Sequence, residues 1–255
     1  MAFHIKTLAA TALMAMPFAL ASVVPAYALD DKQKEEIGAF IKEYLVANPE
    51  IMLDVQDALK KKQEDAQAKM AEQAVTENKA AIFTSADDIS LGNPNGDVTI
   101  VEFFDYNCGY CKHALADMDT ILAKDTNVRF VLKEFPILGP DSLAAHRVSA
   151  AFRQIAPEKY GEFHRALLGG EGRANEDKAI DVATSLGVSE DALRKAMADK
   201  PNDDSVKQAY KLATALGVSG TPSYVVGSEA VYGAIGADAL EAKIGNVRSC
   251  GKATC

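Results

Sequence analysis

Apolar residues in the stretch 31–47 fall at Ile37, Phe40, Ile41, Tyr44 and Leu45, a spacing of three and four that places one stripe on a helix. Asn48-Pro49-Glu50 ends that helix and starts another. Asparagine can cap, proline suits a first helical position, and the glutamate favours the positive helix end. Ile51, Met52, Val55 and Leu59 carry the stripe into the second helix, and from Lys60 to Lys79 it thins to Ala66, Met70 and Ala74 among charged and amide side chains. A helix that polar is not expected inside a core. It reads as a solvated linker or a disordered stretch, or as a stalk whose apolar part, Ile37 to Leu59, packs against copies of itself. Two helices of this size cannot bury such a stripe alone.

The period changes further on. Residues 85–97 are rich in turn formers (Asp87-Asp88, Gly92-Asn93-Pro94, Asn95-Gly96), with room for one short strand at Ile89–Leu91. Val98 to Phe104, VTIVEFF, reads as a buried strand, Ala114 to Lys124 as a helix, and Val128 to Phe135 as a second strand. Strand, helix, strand implies a parallel pair with a crossover helix. A helical region over about residues 139–216 follows, punctuated by Pro157, Gly169-Gly170-Glu171-Gly172, Gly187 and Pro201. Strand-like sequence returns at Ser223–Val226 and Ala230–Tyr232 around a Gly227-Ser228 turn, and a last helix covers Ala237 to Ile244.

The N-terminus alters the compartment. Lys6, an uncharged run from Thr7 to Val24 and the small-x-small site Ala26-Tyr27-Ala28 describe a secretory signal peptide over residues 1–28. An uncleaved anchor is the rival, since the uncharged run nears the roughly 18 residues a spanning helix needs; Pro17 and the cleavage site favour export. The mature chain would then start at Leu29, in an exported compartment that permits disulfides, with no membrane insertion after cleavage. With 36 acidic against 27 basic residues in 255, a formal charge of −9 gives no basic footprint for nucleic acid. The three segments expected are 1–28 as signal, 29–84 as helical stalk and 85–255 as one catalytic domain.

Four cysteines fall in two pairs, Cys108 with Cys111 and Cys250 with Cys255. The first pair lies between a strand and a helix. Unpaired N–H groups and the dipole at the helix start favour a thiolate on Cys108, while Cys111, a turn further in, is placed to resolve a mixed disulfide. Covalent haem attachment fails because Lys112 stands where histidine is needed. A zinc site would require Cys250 and Cys255 to fold back; an inert structural disulfide is the other alternative to a redox-active dithiol. Glu102 is the sole charge in VTIVEFF. Either burial raises its pKa so that it relays the proton of Cys111, or strand alternation turns it to water. Lys133 is a candidate partner for it, or a snorkelling edge lysine.

Glu102-Phe103-Phe104-Asp105-Tyr106-Asn107-Cys108-Gly109-Tyr110-Cys111, followed far downstream by Gly220-Thr221-Pro222, resembles the active-site segment and cis-proline loop of the thioredoxin-fold, disulfide-bond (Dsb) family of bacterial exported proteins. The resemblance covers residues 85–250. It implies an α/β thioredoxin fold with a helical insertion, as in the DsbA branch, preceded here by a helical oligomerisation arm. Gly-Tyr between the cysteines and threonine before the proline resemble the isomerase branch, and together with the arm they look most like the suppressor of copper sensitivity C proteins. That likeness implies a homo-oligomer, a trimer rather than a dimer, which shuffles disulfides in misoxidised exported proteins or binds Cu(I) through Cys108 and Cys111. It implies a periplasmic location, Thr221 and Pro222 as substrate-facing residues beside Cys108, a reducing partner at the membrane, and no required cofactor. A trans Thr221-Pro222 turn is the alternative at that loop.

Cys250 and Cys255 read as a small staple, with a second metal or redox pair or free thiols as alternatives. His113, a turn from Cys108, could tune the thiolate or stand exposed. His146 carries no signal, and His164 reads as part of a helix surface. Tyr106 and Tyr110 either line the substrate surface or pack. Two functions therefore stand side by side, a thiol–disulfide isomerase or reductase and a copper(I) carrier using the same soft thiolates.

Overall fold

The computed structural model of the chain describes residues 29–86 and 88–255. The signal expected over residues 1–28 lies outside them. The chain divides into two compact units, one ending at Asp57 and the other running from Ala58 to Cys255.

In the first unit, α1 (Asp31–Ala47) starts at a reciprocal cap. The Asp30 carboxylate accepts from the Gln33 N–H at 2.7 Å, and the Gln33 side chain accepts from the Asp30 N–H at 3.0 Å. Phe40 and Tyr44, one turn apart, stack with ring centroids 6.0 Å apart. No residue of α1 is buried, and Ile37, Phe40, Ile41 and Tyr44 are all exposed. α2 (Glu50–Glu77) begins in this unit, with Met52, Leu53 and Val55 exposed as well.

In the second unit, a short α3 (Lys79–Phe83) leads into β1 (Ile89–Gly92), β2 (Val98–Phe104), α4 (Gly109–Lys124) and β3 (Val128–Glu134). Five helices follow: α5 (Pro140–Ile155), α6 (Tyr160–Gly169), α7 (Glu176–Ser185), α8 (Glu190–Asp199) and α9 (Asp203–Ala215). β4 (Ser223–Val226), β5 (Glu229–Tyr232) and α10 (Ala237–Cys250) complete it. The sheet runs β1-β3-β2-β4-β5, with β2 and β3 parallel and every other pairing antiparallel. The crossover helix α4 joins the parallel pair, as the strand–helix–strand order predicts. β-branched and aromatic residues fill β2 because both of its faces are covered.

Strand alternation divides those faces. Ile100 and Phe104 of β2, Phe130 and Leu132 of β3, and Tyr224 of β4 share a core with Met118 and Ile121 of α4, Leu240 of α10, and Phe152 and Phe163 of the helical insertion. Val101, Phe103, Val131 and Val225 face the other way, onto Leu212 and Leu216 from the α9 end, Ile82 of α3, and Ala74 and Val75 of α2. Each fully buried aliphatic or aromatic side chain of this kind contributes about 1.5–3 kcal/mol. The polar tail of α2 is therefore not solvated throughout. It is exposed as far as Met70, but Ala71, Ala74 and Val75, where small side chains permit close approach, are buried.

Two expectations are corrected. Glu102 is in register with Leu132 and Phe103 with Lys133, so Lys133 projects on the face opposite Glu102 and cannot be its partner. Nor is it a snorkelling edge residue: β3 lies between β1 and β2, and the buried ammonium bonds the Asp88 carboxylate and the Ala81 carbonyl. Burial pushes the Asp88 carboxyl up to about 6 against the pull of Lys133. His164 is also not a surface residue. With Tyr160, Phe163 and Leu167 it forms the buried stripe of α6, and burial drives its imidazole down to about 3, leaving it neutral.

Candidate active site

β2 ends at Phe104, and Asp105-Tyr106-Asn107 turns the chain into α4, whose N-cap is Cys108. The turn is fixed by side chains. The fully buried Asp105 carboxylate accepts from the N–H groups of Asn107 (2.8 Å), Ile137 (2.8 Å) and Leu138 (2.9 Å) and from the Ser142 hydroxyl (2.8 Å). Tyr106, also buried, bonds Ser149 at 2.9 Å and Tyr160 at 3.3 Å, and both of those hydroxyls reach the Glu134 carboxylate. The loop ahead of the cysteines is thus bolted to β3, α5 and α6. Sequence reading missed these anchors. Their one local signal is a run of three hydrogen-bonding side chains immediately before Cys108.

Cys108 and Cys111 are free thiols at the start of α4. Cys108 is 7% exposed and Cys111 fully buried. In its thiol form Cys108 donates from Sγ to the Thr221 carbonyl at 3.1 Å. Hydrogen bonding from Cys111 is the largest influence on Cys108. Against the cost of burial, and with help from the Thr221 side chain and the backbone N–H groups of Cys111 and Tyr110, it pulls the thiol from 9.0 down to about 5. The same hydrogen bond, then burial and the nearby Glu102, push Cys111 far above the ordinary thiol range. One sulfur is a thiolate at neutral pH and the other holds its proton, an asymmetry suited to attack followed by resolution.

Glu102 is 2% exposed, so the alternative that it faces water is excluded. Burial, then the charges of Asp117 and Cys108, raise its carboxyl from 4.5 to about 8. β4 is registered antiparallel on β2, with Ser223 opposite Phe103, so the loop ending at Pro222 arrives where β2 gives way to the cysteine turn. The Thr221–Pro222 peptide is cis. Cys108, Cys111, Glu102 and Thr221-Pro222 therefore converge at one end of the sheet. Tyr110 stands out at 68% exposed, with His113 also exposed beside it, while Tyr106 packs inside.

Cys250 and Cys255 form a disulfide with Cα atoms 6.3 Å apart. That pairing removes the zinc reading that required all four thiols. Among the described residues no group of three or more histidine, cysteine or carboxylate side chains converges as a metal site.

The family model of the DSBA-like thioredoxin domain matches residues 99–245. The chain belongs to that family. Membership places it among thiol–disulfide oxidoreductases, and ahead of the DsbA-like body residues 33–66 match the copper resistance protein ScsC N-terminal domain. A thioredoxin-like oxidoreductase of Silicibacter pomeroyi DSS-3 is 40% identical, the alignment covering 68% of this chain and 99% of that one with a TM-score of 0.64. The thiol-disulfide exchange protein alpha-DsbA2 of Wolbachia pipientis is 28% identical over 71% of this chain and 98% of its own, TM-score 0.65. Proteus mirabilis ScsC in a transitional conformation is 26% identical over 84% and 95%, TM-score 0.59. The chain spans only 22% of the length of the curated relatives it matches, Na(+)/H(+) antiporters of Salinispora tropica and Salinispora arenicola, at 27% identity over 147 residues. Among the described residues no helix is long and apolar enough to cross a membrane.

Proposed function

We propose that this DsbA-like chain is an exported, periplasmic thiol–disulfide oxidoreductase that reduces or isomerises disulfides in misoxidised proteins. The observation that carries the reading is the free dithiol at the start of α4, with the Cys108 sulfur 3.1 Å from the Thr221 carbonyl of the cis-proline loop and its thiol pulled down to about 5. The Cys108 thiolate attacks one sulfur of a client disulfide. A Cys108–client bond forms, the client S–S bond breaks, and the other client sulfur leaves as thiolate and takes a proton. In isomerisation a further client thiolate attacks the mixed disulfide and expels Cys108, with no net redox change. In reduction Cys111 attacks Cys108, the client leaves with two electrons, and a Cys108–Cys111 disulfide remains. Glu102, whose carboxyl is mostly protonated at neutral pH, takes the Cys111 proton through its minor ionised form and passes it to the departing client thiolate, so that the carboxyl ends as it began. Thr221 and Pro222 present backbone to an extended client.

An isomerase must be kept reduced, so a membrane-bound thiol reductase is the expected partner. The unburied apolar stripe of α1 and early α2 supports self-association of several chains, a trimer by the ScsC likeness, which would hold several dithiols around one client. The match to a copper resistance protein's N-terminal domain favours a second reading, in which the same two sulfurs carry Cu(I) as cargo. Two soft donors suit that ion, but the buried Cys111 would have to surrender its proton to bind it.

The deciding experiment is reactivation of scrambled ribonuclease by the chain from Leu29, with Cys108→Ser as control. Reactivation beyond that of a monomeric dithiol reductant, lost in Cys108→Ser, supports the isomerase. Equal activity in both proteins removes the reading.

A further inference from the structure

The two residues that bracket the dithiol both reach one distant loop. Asn107, immediately before Cys108, donates from its amide to the Ala174 carbonyl and accepts from the Ala174 N–H, each at 2.8 Å. Lys112, immediately after Cys111, donates from Nζ to the Gly170 carbonyl at 2.6 Å. Between these anchors Glu171, Gly172 and Arg173 are exposed, whereas Ala174 is buried. Arg173 fastens the outer side, donating to Asp141 at 2.5 Å and to the Leu138 carbonyl at 3.0 Å, and the Leu138 N–H is itself held by Asp105. The hydrogen bonds close a ring from the cysteine turn through the loop to the start of α5 and back.

Glycine shapes that loop. A Cβ on Gly170 would meet the Ala166 carbonyl at 2.8 Å, and Gly172 has a φ of +76°. The groups whose hydrogen bonds favour the Cys108 thiolate are Cys111, Thr221 and Tyr110, whereas the side chains of Asn107 and Lys112 are bonded to the distant loop. Lys112 instead directs a full charge at a backbone carbonyl, a strong bond to commit to an exposed loop.

We propose that Asn107 and Lys112 are positioning residues that hold Gly170–Ala174 as one wall of the client site. The wall selects extended polypeptide disulfides that also lie across the exposed Tyr110 ring. This rests on the exchange reading above. A polypeptide disulfide touches both the sulfur and the wall, while a small one such as oxidised glutathione needs little beyond the sulfur. The two substrate classes therefore separate positioning of the loop from activation of the thiolate.

The test compares the chain from Leu29 with its Lys112→Met, Lys112→Arg and Gly170→Ala variants, on a disulfide-linked peptide and on oxidised glutathione. Lys112→Met is expected to raise KM for the peptide about tenfold with kcat little changed, so that the peptide-to-glutathione ratio of kcat/KM falls by about the same factor. Lys112→Arg recovers most of the loss. Gly170→Ala, whose Cβ would press on the Ala166 carbonyl so that the anchor of the loop must shift, gives a loss that is not additive with Lys112→Met. An unchanged ratio in Lys112→Met, or equal losses on both substrates, overturns the proposal. Absence of exchange on both substrates in the unsubstituted chain instead overturns the exchange reading.

Discussion

Replacing Glu102 with glutamine removes one titration from the core, and its consequence for stability follows from the position of that carboxyl. In the unfolded chain it ionises near 4.5; in the folded protein burial holds it protonated to about 8. Below pH 4.5 both states are protonated and the group has no pH-linked effect. As pH rises from 4.5 to 8 only the unfolded state gains by ionising, so folding loses ground. At pH 7 the shift of 2.5 units then open corresponds to about 3 kcal/mol, and above pH 8 the full 3.5 units to about 5 kcal/mol. Glutamine escapes this cost but adds a buried amide N–H whose desolvation, about 1–3 kcal/mol, does not depend on pH. The diagnostic quantity is therefore the difference in unfolding free energy between variant and parent across pH. Denaturant titrations of both reduced proteins, with Cys108 titrating in each, should show that difference moving by about 3 kcal/mol in favour of Glu102→Gln between pH 4 and pH 7. A difference flat in pH would show that Glu102 titrates normally and refute the buried-acid argument, and with it the proton-exchange role.

Four further outcomes follow from the same geometry. The ultraviolet thiolate absorbance of Cys108 should titrate with a midpoint near 5, whereas a midpoint near 9 would show that Cys111 does not donate to it. Asp105→Ala strands three backbone N–H groups and a hydroxyl, so denaturant unfolding should register a loss of about 3 kcal/mol or more; a loss under 1 kcal/mol would mean water replaces the carboxylate. Removing the Cys250–Cys255 link by double serine substitution should cost about 2 kcal/mol on the chain-entropy relation for so short a ring, read as a lowered Tm; an unchanged Tm would contradict it. Light scattering should give an oligomer for the chain from Leu29 and a monomer once residues 29–57 are deleted, and a monomeric mass for the longer chain would refute the arm's role.

The deletion point shows what the sequence could and could not tell. A cut at Thr84, the end of the expected stalk, would remove Ala74, Val75 and Ile82, which belong to the core under β2. Alanines among charges give no periodic signal strong enough to announce a buried end, so the polar stretch reads as solvated throughout. By contrast VTIVEFF, the cysteine spacing and Thr221-Pro222 are local patterns with local meanings, and the structure brings them together. The partner of Lys133 depends on the face it points to, and only the strand register settles that. The His164 imidazole is polar by type yet falls on the apolar stripe of Tyr160, Phe163 and Leu167, so residue type alone points it to the surface. Apart from the local Asn107–Asp105 bond, the side-chain bonds that anchor Asp105, Tyr106 and Asn107 reach residues 32 to 67 positions away, and no local pattern carries such partners.

The central claim is that Cys108 is the attacking sulfur and Cys111 the resolving one. Incubating Cys111→Ser with a disulfide-containing client, quenching by alkylation and measuring intact and peptide masses tests it most directly. A client adduct should accumulate on Cys108, resist the remaining serine, and be absent from Cys108→Ser. No adduct, or one attached through Cys250 or Cys255, would contradict the assignment.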